Sequence, residues 1–143
     1  MDRKNCIRRT KEIIYENRDK DIESVLGDLD FDSSLELISS LIYSLGYESV
    51  RCSGEGPWMI FYGGMAGRES EILRYDLQSR KFHGLLESDI KSAFFIISEI
   101  EGFLSDSIEL PHDMRQKRID SVIKASGESS DRYSLILRNW KSL

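Results

Sequence analysis

Apolar residues in the first third of the chain recur at helical spacing. One group lies at i, i+3, i+4 and i+7, the stripe of an amphipathic helix: Ile22, Val25, Leu26 and Leu29. An earlier helix, interrupted near residues 17–21, is expected around Ile7, Ile13 and Ile14. The chain therefore begins with helices.

A further helix is predicted immediately downstream by its start and stop signals. Ser33 and Glu36 have the spacing of a capping box, and Gly46 is a typical helix terminator. Between these signals lie five apolar residues at helical spacing: Leu37, Ile38, Leu41, Ile42 and Leu45.

The pattern changes over residues 50–85, where short apolar runs are separated by turns rich in glycine and serine. Such runs predict three or four antiparallel strands. Trp58 and Tyr62 lie in one of them, and we expect both rings, like that of Trp140, to belong to the core.

Helical spacing then returns in a segment expected to be long, central and buried. Its main stripe comprises Ile90, Ala93, Phe94, Ile97, Ile100 and Leu104, and a second apolar side comprises Phe95, Ile96 and Phe103. Pro111 predicts the start of a further helix that ends at Gly127. Residues 131–141 fit a strand or a helix, and their β-branched and aromatic content favours the strand.

These elements predict an α+β fold, with N-terminal helices, a small antiparallel sheet of three to five strands and a long buried helix packed on it. At 143 residues, 40% hydrophobic and 31% charged, the chain has the size and composition of one globular domain spanning residues 1–143.

The chain carries features of a cytoplasmic protein. Its first residues lack the apolar segment of a secretory signal, and its longest apolar runs are too short to cross a membrane. Cys6 and Cys52 are too few for a disulfide framework and fit a reducing compartment.

Acidic residues are concentrated in two blocks. Residues 21–50 contain seven acids and no base, and residues 87–110 contain six acids against Lys91 alone, within a net charge of −5. Both ends of the chain are basic instead. Blocks of one sign are either the solvated faces of helices or a field that attracts an oppositely charged partner. Nucleic acid is disfavoured as that partner, because its phosphates require Lys and Arg.

We therefore expect a non-enzymatic protein that binds a basic protein partner. The most concrete form is an immunity or antitoxin protein that occludes a cationic toxin domain, often a nuclease. The expected binding residues come from both acidic blocks: Asp28, Asp30, Asp32, Glu36, Glu99, Glu101, Asp106 and Glu109. A small acidic chaperone of a secreted effector is the alternative, and it implies a homodimer that binds through apolar surface.

An enzyme remains the third hypothesis, without a cofactor or metal site that the sequence specifies. Asp76 with Asp89 and Lys91 has the spacing of metal-dependent nucleases, although that pattern needs its triplet on a strand. The acids at 28, 30 and 32 resemble the start of an EF-hand loop, but Ser33 and Ser39 replace its required Gly and Glu. The glycines of residues 54–67 fit hairpin turns better than a phosphate loop.

Overall fold

The computed structural model describes residues 3–18, 20–106, 117, 135–136 and 138–140. In chain order the elements are α1 (Arg3–Glu16), α2 (Ile22–Gly27), α3 (Phe31–Ser44), β1 (Ser49–Glu55), β2 (Trp58–Met65), β3 (Arg68–Asp76), β4 (Lys81–His83) and α4 (Glu87–Asp106). The predicted α+β fold, with N-terminal helices and a long helix packed on an antiparallel sheet, is confirmed.

The break between the first two helices lies where the sequence predicts it. α1 ends at Glu16, and Asp21 starts α2 by accepting a hydrogen bond from the amide of Ser24 at 2.8 Å. That bond satisfies one of the amide donors that a helix leaves open at its N-terminus.

The predicted start of α3 is wrong by almost one turn. Asp30, not Ser33, is the N-cap, because its carboxylate accepts a hydrogen bond from the Ser33 amide at 2.8 Å. Glu36 does not fold back as a capping box requires, since its side chain pairs with Arg9 of α1. Gly46 follows the helix at a φ of 104°, as the stop signal predicts.

The four strands form one antiparallel sheet in the order β1-β2-β3-β4. Two-residue turns join the first three strands, with Gly56 at a φ of 60° in one turn and Ala66 and Gly67 at 54° and 77° in the other. Positive φ angles at these positions match the twist of a tight hairpin. Gly56 and Gly67 thus lie in hairpin turns, as predicted, whereas Gly54, Gly63 and Gly64 lie within the strands.

One face of the sheet forms part of the core. Met59, Phe61, Leu73, Tyr75 and Phe82 are each at most 2% exposed and belong to a single apolar cluster with the helices. The register between β2 and β3 shifts between Phe61 and Tyr62, so that β3 has one extra residue there. As a result, the successive residues Ile72 and Leu73 both belong to the core. The sheet therefore covers the helical layer.

The helix α4 also contributes to that core. Ile90, Ala93, Phe94 and Ile97 are buried as predicted, and of the predicted second apolar side Ile96 is buried whereas Phe95 is 49% exposed. The side chains of Ile100, Phe103 and Leu104 lie outside the described part of the structure. Within the described part of the chain, no helix has both the length and the apolar character needed to cross a bilayer.

The preference for a strand over residues 131–141 is wrong where the structure describes that segment. Residues 135–136 and 138–140 are helical, and Ile136 and Trp140 are buried in register with that helix. The predicted core position of Trp140 is thus correct, while Trp58 and Tyr62 are only partly buried. The helix predicted from Pro111 to Gly127 lies outside the described residues apart from Lys117, which is helical.

Candidate functional site

Three of the predicted acidic residues surround the connection between α2 and α3. Asp28 is the C-cap of α2, Asp30 is the N-cap of α3, and Asp32 lies in the first turn of α3. All three are exposed, and the side chain of Asp28 is 75% accessible. We call Asp28, Asp30, Asp32 and the intervening Phe31 the acidic junction.

Phe31 is the apolar member of the acidic junction. It is the first residue of α3 and remains 50% exposed, although the following turns of the same helix are buried. Aromatic side chains are enriched at protein interfaces. The junction therefore presents one ring between carboxylates.

A hydrogen bond favours the ionised form of the Asp30 carboxylate. The donated amide of Ser33 is the main cause that lowers the pKa of Asp30 below its usual value, and the nearby Arg9 acts in the same direction. Lys20 Nζ lies 3.9 Å from Asp28 Oδ2, and both side chains are more than half exposed. An exposed pair at that distance neutralises little, so the surface stays negative.

Glu36 lies on the inner side of α3. Its side chain is 11% exposed and its Oε1 atom accepts a hydrogen bond from Arg9 Nη1 at 3.2 Å. Its carbonyl accepts from the hydroxyls of Thr10 and Ser40, which form the buried polar contact between α1 and α3. This position gives Glu36 a role in joining two helices.

The second acidic block, like the first, contains both an exposed acid and an acid that is bonded within the molecule. Glu99 is exposed on α4, whereas Glu101 Oε1 accepts a hydrogen bond from Trp140 Nε1 at 2.8 Å. Asp106 is the last residue of α4, and its side chain lies outside the described part of the structure. Glu109 lies outside the described residues. Of the four binding residues predicted in this block, Glu99 is the exposed one among those whose side chains the structure describes.

The residues considered for nuclease chemistry are engaged in separate local contacts. Asp76 accepts hydrogen bonds from the amides of Gln78 and Ser79, which lower its pKa, and Lys91 pairs with Glu23 at 3.2 Å. Asp89 and Lys91 lie on the helix α4 rather than on a strand. Among the described residues, no three His, Cys, Asp or Glu side chains are grouped to hold a metal ion.

The glycines considered for phosphate binding have structural partners. A Cβ atom on Gly63 would lie 2.5 Å from Ile72 Cδ1 and 2.6 Å from Tyr47 Cδ1, so the absence of a side chain lets Tyr47 pack on the sheet. Gly67 lies in the hairpin turn before β3, and no helix follows it. The segment lacks the helix N-terminus that a phosphate loop uses.

Sequence reasoning missed Phe31. If α3 started at Ser33, Phe31 would lie in a loop, and its position would give no reason to assign it to a binding surface. The signal that could have found it is the pattern of an aromatic residue between two acids, with Asp30 three residues before Ser33 as a competing N-cap.

Comparison of this chain with protein families, with characterised proteins and with solved structures finds no match.

Proposed function

We propose that this chain is a protein-binding module that docks a basic partner on the acidic junction. The observation that carries the proposal is Phe31, half exposed at the start of a buried helix and placed between the exposed carboxylates of Asp28, Asp30 and Asp32. The specific role that we propose is that of an immunity or antitoxin protein, which occludes a cationic toxin domain.

The ring and the carboxylates have different tasks in such an interface. An aromatic side chain in the centre of a contact is a typical hot spot, and its removal costs about 2 kcal/mol or more of binding energy. Charges around it raise the encounter rate with an oppositely charged surface and disfavour other partners. Phe31 would therefore determine how long the complex lasts, and the acids how fast it forms.

The acidic junction is also held in place before any partner arrives. Asp30 is fixed by its hydrogen bond to the Ser33 amide, and α3 is anchored by Leu37, Ile38 and Leu41, all of them fully buried. A surface on a rigid helix loses little conformational entropy upon binding. This supports a docking surface rather than a loop that folds on its partner.

The sign of the charge supports a basic protein over nucleic acid. The three carboxylates of the acidic junction have two bases near them: Lys20 lies close to Asp28, and Arg9 lies near Asp30. Arg9 also forms a salt bridge with Glu36. A toxin that binds nucleic acid carries the opposite field, so an acidic surface can cover it without any chemistry of its own.

Quantitative capture from the source cells tests the proposal with matched variants. Tagged wild-type protein should retain one basic protein at a molar ratio near one to one. Phe31→Ala and the double variant Asp28→Asn/Asp32→Asn should retain at least tenfold less, since a loss of about 1.4 kcal/mol is tenfold in affinity.

Two control variants make the same kinds of substitution elsewhere on the surface, so they test whether the position of the substitution matters. Met65→Ala removes another apolar side chain, 45% exposed, at the end of β2, and Glu48→Gln/Glu55→Gln makes the same change in net charge beside β1. Both should capture as the wild type does. If the controls lose the partner equally, or the junction variants keep it, the proposed surface is wrong. Capture that resists high salt, by a homodimeric protein, would favour the chaperone alternative instead.

A further inference from the structure

A groove lined by both apolar and charged side chains lies beside the acidic junction, where the turn between α1 and α2 faces α4. Its volume is about 310 Å³, within the lower range of small-molecule sites. Its apolar wall consists of Ile22 from α2 and the rings of Phe94 and Phe95 from α4. The half-exposed ring of Phe95, which core packing does not require, lines this space.

Bases outnumber acids among the described residues that line the groove, in contrast to the chain as a whole. Arg18, Lys20 and Lys91 line it together with two acids, Asp21 and Glu23. Both acids have local partners, because Asp21 accepts the Ser24 amide at 2.8 Å and Glu23 pairs with Lys91 at 3.2 Å. The described residues that line the groove therefore carry one positive charge in excess, three bases against two acids, within a protein of net charge −5.

Arg18 is the cation best placed for a ligand. Its guanidinium lies over the ring of Tyr15, 4.5 Å from the ring centroid, and Nη1 donates a hydrogen bond to the Tyr15 carbonyl at 2.8 Å. Among the described residues, no carboxylate forms a salt bridge with it. The guanidinium is thus held in a fixed orientation with further N–H donors for an anion.

Ser98 is a further polar residue that lines the groove. It lies one turn after Phe94 on α4, is 3% exposed and lines the cavity. Its Oγ atom has no hydrogen-bond partner in the described part of the chain. Because a buried hydroxyl without a partner is destabilising, a ligand atom that bonds to it would be favoured.

We propose that this groove binds a small aromatic carboxylate. The carboxylate pairs with Arg18, the ring packs against Phe94 and Phe95, and Ser98 bonds to a second polar group of the ligand. The site adjoins the acidic junction, because Lys20 lines the groove and also lies 3.9 Å from Asp28, but the proposal does not depend on the identity of a protein partner.

The test is a titration of the isotope-labelled protein followed by two-dimensional NMR. The probe is para-coumarate, which has a carboxylate, a ring and a hydroxyl at its far end. Saturable shifts should concentrate at the amides of Ile22, Phe94, Phe95 and Ser98. The neutral amide of the same compound should bind about tenfold more weakly, because it lacks the charge that Arg18 recognises.

Substitutions at Arg18 and Ser98 test the two proposed polar contacts with the ligand. Arg18→Gln should weaken para-coumarate about tenfold, whereas Arg68→Gln, the same charge change in the β2–β3 hairpin, should have no effect. Ser98→Ala should weaken para-coumarate to the affinity of cinnamate, which lacks the hydroxyl, and leave cinnamate unchanged. The absence of saturable shifts at these residues, or equal affinities in Arg18→Gln and wild type, would overturn the proposal.

Discussion

The hydrogen bond between Trp140 and Glu101 offers a direct test of whether Glu101 is part of the internal structure or of a binding surface. Trp140 is 2% exposed, and its Nε1 atom donates to Glu101 Oε1 at 2.8 Å, across 39 residues of sequence. Replacing Glu101 by Ala removes the acceptor and leaves a buried indole N–H without it. Replacing Trp140 by Phe removes the donor and keeps a ring.

The magnitude follows from the partners. A hydrogen bond to a charged group contributes about 1.5–3 kcal/mol, and the partial exposure of Glu101 places this one near the lower end. We expect Glu101→Ala to lower the free energy of unfolding by about 1–2 kcal/mol. For a chain of this length that is roughly 3–7 °C in Tm.

A double-mutant cycle measured by urea unfolding isolates the bond from the other effects of each substitution. The coupling energy between Glu101→Ala and Trp140→Phe should be about 1 kcal/mol or more. Glu99→Ala, two residues earlier on the exposed side of α4, is the matched control and should change stability by less than about 0.5 kcal/mol. A coupling near zero, or an equal loss in the control, would refute the assignment of Glu101 to the interior.

Three other substitutions test separate features. Gly63→Ala should lower the free energy of unfolding in urea by about 1–3 kcal/mol, because its Cβ would lie 2.5 Å from Ile72 Cδ1. Gly54→Ala is the control, since nothing lies within 4 Å of a Cβ there, and equal effects of the two variants would contradict the packing role of Gly63. Hydrogen bonding lowers the pKa of Asp30, so its cap adds stability above the unfolded value of about 3.9 and loses it as the pH falls through the lower folded value. Asp30→Asn should therefore flatten the decline of the urea midpoint below about pH 4, and an identical decline would be evidence against the cap. Ser98→Ala should preserve stability or raise it by up to about 1 kcal/mol, since the hydroxyl is buried without a described partner; a clear loss in thermal unfolding would show that it has one.

Much of the fold could be predicted because hydrophobic spacing and turn residues agree. The apolar stripe from Ile22 to Leu26 is buried only if the segment is a helix. Gly56 and Gly67 readily adopt the positive φ angles that tight hairpin turns require. Such local signals suffice for the type and order of the elements.

Signals that compete at the same place were harder to resolve. Asp30 and Ser33 are both good N-caps three residues apart, and Glu36, which a capping box at Ser33 would use, pairs instead with Arg9 of α1. The segment around Trp140 satisfies both periodicities, and the contacts of its ring with α4 decide for the helix. Tertiary contacts, not propensity, settled both cases.

The acidic surface was the least predictable part. Glu36 and Glu101 cannot be told from Asp28 or Glu99 by sequence, because the difference lies in an arginine 27 residues away and a tryptophan 39 residues away. The groove at Arg18 and Phe95 is equally non-local, since it joins a turn near the N-terminus to the middle of α4.

The central claim concerns the acidic junction, and association kinetics with the captured partner test it most directly. Stopped-flow measurements over a range of salt concentrations should show an association rate that falls as ionic strength rises. Asp28→Lys/Asp32→Lys should slow association and flatten that dependence, and Phe31→Ala should mainly speed dissociation. Rate constants that remain the same in both variants as in the wild type would contradict the account.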